Sequence, residues 1–221
     1  RIDTHLVVVN NYVKKIALES SILKGLDCTV IKLGIAPDKF TPIGKNTARK
    51  SLNLDSNHAV ILFGCFSLDD PRKGAHFLKE ALRDVAESYQ STDAISENRI
   101  HLVTFGQLGV LKFNDLAIKW THMNMIESSK TMNLLYRASD MLVSPSIDDL
   151  GPTIVQEAFT NDLPIVAFDL GVAQDLIIHG VNGYLVPNRN SKEFGVSIQN
   201  ILQNKLIIKE NHKRKISPSK P

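Results

Sequence analysis

Short, continuous apolar runs alternate with amphipathic stretches along most of the chain. Cys28–Leu33, Ala59–Cys65, Ile100–Phe105, Met141–Ser144, Pro164–Phe168 and Tyr184–Val186 are rich in Val, Ile and Leu. Runs of this length and composition predict strands covered on both faces. Between them the apolar spacing changes to three and four residues. Phe77, Leu78, Ala81, Leu82 and Val85 mark one face of a predicted helix over Gly74–Tyr89. Shorter helices are predicted over Lys130–Ala138, with Met132, Leu135 and Tyr136 inward, and over Pro152–Phe159, with Pro at the first helical position. Val172–Ile178 and Ser191–Gln203 complete the set, and Ser191 reads as an N-cap ahead of Phe194 and Ile198. Ser88–Asn98 is polar and predicts a surface loop.

Alternating strands and helices predict an α/β fold: a Rossmann-like, doubly wound parallel sheet. Such sheets bind ligands at the carboxyl ends of their strands. Gly64–Gly74, Gly106–Gly109, Pro145–Gly151 and Asp169–Gly171 all fall at that edge. The stretch from Ser144 to Phe159 carries the most chemistry. A Pro-Ser loop holds Asp148 and Asp149, Gly151-Pro152 opens a helix, and Glu157 lies eight positions after Asp149. Free N–H groups at a helix start suit a phosphate. Carboxylates to either side suit sugar hydroxyls, which are good donors. The combination fits a nucleotide-sugar. Each residue also has a plainer reading: Glu157 as an exposed helix acid, and the aspartates as acids favoured ahead of a helix start.

This segment resembles the Glu-x7-Glu stretch of retaining glycosyltransferases of the GT-B fold, glycosyltransferase family 4, with Asp149 in place of the first Glu. Other landmarks follow in order. Leu33–Pro42 (LGIAPDKFTP) resembles the family's N-G-V-D-x-x-x-F-x-P stretch. Ile61-Leu62-Phe63-Gly64 with Arg72-Lys73-Gly74 resembles its glycine and Lys-Gly segment. Leu163–Ala167 and His179–Val186 resemble its last two strands. The likeness runs over roughly residues 5–204. Departures are Cys65 and Phe66 where the family carries an Arg, Val172 for the second glycine of a turn, and Asp162 for a glycine before Leu163-Pro164.

The resemblance implies a hexosyl transfer from a nucleotide diphosphate sugar to an acceptor hydroxyl on a glycan or glycolipid, with anomeric configuration retained. It assigns Glu157 to the ribose hydroxyls and Asp149, with Asp148 as alternative, to the donor sugar. Lys73 goes to the diphosphate, with Arg72 as a second cation. Gly151, Thr153 and Ile154 lie at the phosphate-binding helix start, where Thr153 and Ile154 offer N–H groups that Pro152 lacks. Gly64 and Gly106 read either as points of close ligand approach or as plain turns. Tyr136, with Met123–Ile126, lies where the family contacts the base, although its apolar spacing reads first as core. No metal or other cofactor is expected. An epimerase or phosphorylase on the same fold, or a binding module without activity, are the competing readings.

At 43% hydrophobic and 22% charged residues, the 221-residue chain has the composition of an ordinary globular protein. A net charge of +3 does not point to nucleic acid. Cys28 and Cys65 sit in apolar runs without a Cys-x-x-Cys spacing, which predicts buried, reduced thiols and a cytoplasmic setting. The resemblance extends that setting to the inner face of a membrane. The chain opens on Arg1 and enters an apolar run almost at once, so it reads as the carboxyl-terminal, donor-binding part (1–204) of a longer protein whose amino-terminal domain is missing and which does not catalyse alone. Residues 1–20 would be a strand and helix leading out of that domain, or an edge of this one. The basic tail 205–221 reads as a solvated end, with peripheral membrane contact as the lesser alternative.

Overall fold

A computed structural model describes residues 4–35, 41–90 and 99–203. The basic tail and residues 36–40 of the Leu33–Pro42 stretch lie outside the described residues.

The chain opens with strand β1 (His5–Val8), helix α1 (Asn11–Glu19) and strand β2 (Asp27–Val30). β1 and β2 pair in parallel as a two-stranded sheet of their own. One expectation is corrected here: the apolar run from Cys28 is not a buried strand of the main sheet but pairs with β1. The alternation of β2 shows why. Its residues switch between exposed and half-buried, and Ile31 and Leu33 beyond it are exposed. A strand with one open face lacks the two-sided cover of a central strand. Cys28 is accordingly half-buried, as is Cys65, rather than in the deep core.

After α2 (Lys45–Ser51), six strands build one parallel sheet: β3 (His58–Ser67), β4 (Arg99–Gln107), β5 (Lys119–Met123), β6 (Met141–Ser144), β7 (Ile165–Phe168) and β8 (Gly183–Val186). Their order is β5-β4-β3-β6-β7-β8. The connecting helices are α3 (Ala75–Gln90), α4 (Ser129–Ala138), α5 (Thr153–Thr160), α6 (Ala173–Leu176) and α7 (Ser191–Leu202). The predicted doubly wound sheet is what the structure shows. Edge strand β5 was not among the strands expected from the apolar runs.

Side-chain alternation along β3 divides the core. Ile61 and Phe63 join Leu78, Leu82, Phe194 and Ile198 of α3 and α7 on one face. Val60 and Leu62 join Leu135, Tyr136, Val155 and Ala158 of α4 and α5 on the other. Phe168 links Phe77 and Phe194 in edge-on contacts, with ring centroids 5.8 and 5.0 Å apart. The order reverses between β3 and β6. Chains leaving those two strands turn to opposite faces, so a crevice opens between them at their carboxyl ends.

Candidate active site

A cavity of about 360 Å³ occupies that crevice. Gly64, Cys65 and Phe66 of β3, Phe105 of β4, and Ser144 and Ser146 at the end of β6 line it. Met125 and Ile126 beyond β5, Met132 and Tyr136 of α4, Lys73, and Pro152, Thr153, Ile154 and Glu157 at α5 complete the wall. Lys73 and Glu157, 84 positions apart in the chain, thus face one space. Asp149 reaches the site through Lys73. Arg72, Gly106, Asp148 and Gly151 are not on the lining.

Local structure explains each placement. β3 carries one residue more than β4 between Gly64 and Ser67, a bulge that directs Cys65 and Phe66 out of the regular ladder. At this junction a Cβ on Gly64 would lie 2.1 Å from the Phe105 ring, and one on Gly106 would lie 1.9 Å from the Cys65 carbonyl oxygen. Strand packing therefore suffices to require both glycines. After β3, Asp70 accepts a hydrogen bond from the Arg72 amide and caps a single 3-10 turn over Pro71–Lys73. Gly74 ends it at φ 67°, and its missing Cβ would meet the Pro145 carbonyl oxygen at 1.8 Å. The Ile147 amide donates to the Arg72 carbonyl at 2.8 Å. These contacts hold Lys73 against the loop that follows β6.

The charges are arranged in pairs. Lys73 Nζ lies 2.5 Å from Asp149 Oδ2, and Asp149 Oδ1 accepts from the Gly151 amide at 3.0 Å. Asp149 thus shapes its own loop and neutralises the cavity's Lys. Arg72 instead forms a two-pronged contact with Asp70, Nε to Oδ1 at 3.1 Å and Nη2 to Oδ2 at 2.8 Å, on the exposed surface. Asp148 is exposed. Cys65 occupies the wall where the family carries Arg. Burial pushes its thiol up to about 11, against a smaller opposing effect of Lys73, so it is a neutral group that donates to the Ser67 carbonyl.

Helix α5 begins one residue later than predicted. Pro152 is its N-cap and has no side-chain acceptor to offer, and the Val155 amide bonds back to the Pro152 carbonyl. Thr153 and Ile154 head the helix beside the cavity. Glu157 stands one turn further on, and the Tyr136 hydroxyl donates to its Oε2 at 2.6 Å. Tyr136 is 1% exposed, which leaves its ring no open face for stacking on a base. Its hydroxyl pKa is raised, by burial first and by the Glu157 charge second. Among the described residues no group of three or more His, Cys, Asp or Glu could hold a metal ion.

The sequence reading missed the wall formed by Phe63, Phe105, Met132, Ser144 and Ser146. Ser144 and Ser146 flank Pro145 in the loop singled out, so their position was visible, but nothing in their spacing told a lining Ser from a turn Ser. It also missed Asn10. This buried side chain caps α1 by accepting from the Val13 amide and donates to the Leu150 carbonyl, which ties the opening unit to the loop of Asp149.

Residues 44–218 match the family described as Glycosyl transferases group 1. Fold and site together define a doubly wound α/β domain with a cavity at its switch point, and this match makes the chain a member of that family. It is 25% identical over 203 residues to D-inositol 3-phosphate glycosyltransferase of Geodermatophilus obscurus, covering 84% of this chain and 42% of the relative. It is 25% identical over 221 residues to the UDP-Gal:alpha-D-GlcNAc-diphosphoundecaprenol alpha-1,3-galactosyltransferase of Escherichia coli, covering 96% of this chain and 55% of the relative. The chain spans about half the length of these relatives. The crystal structure of Anabaena HepE in complex with UDP-glucose superposes with a TM-score of 0.65 at 20% identity, over 90% of this chain and 54% of HepE. Among the described residues no helix is long and apolar enough to cross a membrane.

Proposed function

We propose that this chain is the donor-binding part of a retaining glycosyltransferase, which takes a nucleotide diphosphate sugar and passes the sugar to an acceptor hydroxyl. The observation that carries the reading is the cavity at the sheet's switch point, bounded by Lys73, Glu157 and the amino end of α5. The diphosphate lies across the Thr153 and Ile154 amides and draws Lys73 toward it. Glu157 accepts the ribose hydroxyls, and the base occupies the apolar end near Met125, Ile126 and Met132. Asp149 meets hydroxyls of the sugar. As the glycosidic bond to the diphosphate breaks, negative charge grows on the leaving group. Lys73 and the helix end are placed to stabilise it, and preorganised donors of this kind contribute about 3–4 kcal/mol each in measured cases. The reading calls for no metal cofactor. The Escherichia coli relative's named acceptor, a sugar on diphosphoundecaprenol, supports a glycan or lipid-linked acceptor, and the reading places the work at the inner face of a membrane. Exposed Val7, Ile16, Ile22 and Ile31 on the β1–α1–β2 unit support a further domain of the same protein packed there.

Calorimetric titration with UDP, GDP and ADP tests the reading. One of them should bind, and Glu157→Ala should weaken that binding by about 1–3 kcal/mol, the range for a lost hydrogen bond to a charged group. A folded protein that binds none of the three overturns it. A second reading, binding without transfer, is favoured by the pairing of Lys73 with Asp149 and by Cys65 in the place of a cation. Mass spectrometry of donor incubated with the intact protein and candidate acceptors separates the two: binding with neither transfer nor donor hydrolysis supports the module.

A further inference from the structure

The geometry points to Tyr136 as a positioning residue that sets the ribose selectivity of the cavity by fixing the Glu157 carboxylate. The proposal rests on the nucleotide-sugar reading above and deepens it. Tyr136 and Glu157 come from different helices, α4 and α5, and their side chains meet at the cavity wall. The hydroxyl donates to Oε2 at 2.6 Å, the short range expected for a bond to an ionised acceptor. No described residue hydrogen-bonds the other oxygen, Oε1. A glutamate on a helix surface would otherwise sample several rotamers, because three side-chain torsions separate its carboxylate from the backbone. Tyr136 does not have that freedom. Its ring belongs to the same core cluster as Val155 and Ala158, the neighbours of Glu157 on α5, and a phenol has only two torsions to order. One oxygen of Glu157 is therefore anchored to a rigid donor, and the carboxylate plane is held at a set angle to the cavity.

A vicinal diol is a pair of donors at fixed spacing. A carboxylate of fixed plane discriminates for or against that pair, whereas a mobile one adapts to either at an entropic cost. The Tyr–Glu contact thus selects a nucleotide that carries both ribose hydroxyls over one that lacks them. Tyr136 needs no contact with the ligand to do this.

The test compares UDP, ADP and GDP with their 2′,3′-dideoxy counterparts, by calorimetric titration on the intact protein. The best-bound ribonucleotide should exceed its dideoxy form by about tenfold or more in wild type, as one or two charge-assisted hydrogen bonds require. In Tyr136→Phe the preference should fall to about threefold or less. The ribonucleotide should carry the loss, and dideoxy affinity should stay within about twofold of wild type. In a Glu157→Gln background the same substitution should have no further effect on the ratio. A thermal melt accompanies each variant. A structural role alone would lower both affinities by one factor and leave the ratio intact, which overturns the proposal, as would additive effects of the two substitutions. If wild type binds ribonucleotides and discriminates, but Tyr136→Phe discriminates equally, this inference fails while the nucleotide-sugar reading stands. If wild type binds no nucleotide diphosphate, that reading fails first.

Discussion

Lys73 illustrates what a side chain's neighbours do to a role assigned from sequence. The family resemblance of Arg72-Lys73-Gly74 marked it as a phosphate contact, and it does face the cavity. Its ion pair with Asp149, 76 positions away, could not be read from the chain. The pair sets the two candidate groups in opposition before any ligand arrives, since Asp149 cancels charge that a diphosphate would otherwise meet. Asp149→Asn should therefore raise affinity for UDP or another sugarless nucleotide diphosphate by about two- to fivefold, equivalent to about 0.5–1 kcal/mol for a partly screened pair. Affinity for the matching nucleotide-sugar should gain less, because contacts to the sugar are lost. Titration of both ligands against the variant checks this, and a fall in sugarless affinity would show that Asp149 does not oppose Lys73. Gly74 gives a sharper expectation. A side chain there meets a backbone oxygen and a left-handed φ together, and neither can relax cheaply. Gly74→Ala should cost about 1–3 kcal/mol in denaturant unfolding.

Elements were legible in proportion to how fully they are buried. β3, β6 and β7 are covered on both faces and announce themselves as continuous apolar runs. β5 reads Lys-Trp-Thr-His-Met, an edge strand of mixed residues, and gave no such signal. Helix α2 is seven residues with little more than Ala48 and Arg49 turned inward, too short for a periodic stripe. The polar contacts that hold β4 to β5 explain how a mixed strand pairs at all. His101 bonds Thr121 at 2.9 Å, and Thr104 accepts from the Trp120 indole and meets His122 Nδ1, both at 2.9 Å. Burial pushes His101 down to about 4, with the Lys119 and His58 charges acting the same way. The unfolded chain, with an ordinary His near 6.5, takes up the proton first. Stability from this group is thus complete above about pH 6.5 and falls as pH drops toward 4. The loss should be on the order of 2 kcal/mol. Denaturant unfolding from pH 7 to pH 4 should show the decline, and His101→Gln, which keeps a partner for Thr121, should flatten it.

At the scale of the molecule, the parallel doubly wound sheet and the cavity's place at the carboxyl ends of its strands followed from the alternation of strands and helices, whereas the strand order did not. The attachment of the opening β1–α1–β2 unit did not either, since it depends on hydrogen bonds between residues more than a hundred positions apart. Asn10 bonds the Leu150 carbonyl, while Asn11 reaches Asp175 through its amide and side chain at 3.2 and 3.0 Å. The two are unequal. Asn10 is buried and also caps α1, so Asn10→Ala removes a cap and strands a carbonyl in the loop that carries Asp149. Asn11 lies at the rim, in water. Asn10→Ala should cost about 1–3 kcal/mol and quicken amide exchange at Gly151, whose N–H bonds Asp149. Asn11→Ala should cost less than about 0.5 kcal/mol and leave Gly151 protected. Equal effects of the two substitutions, or unchanged exchange at Gly151 in Asn10→Ala, would mean that the unit merely rests on the site. The expected asymmetry instead makes the orientation of the opening unit a determinant of where Asp149 stands, so that any body fixed to β1 and β2 would act on the loop of Asp149 through the buried Asn10 amide.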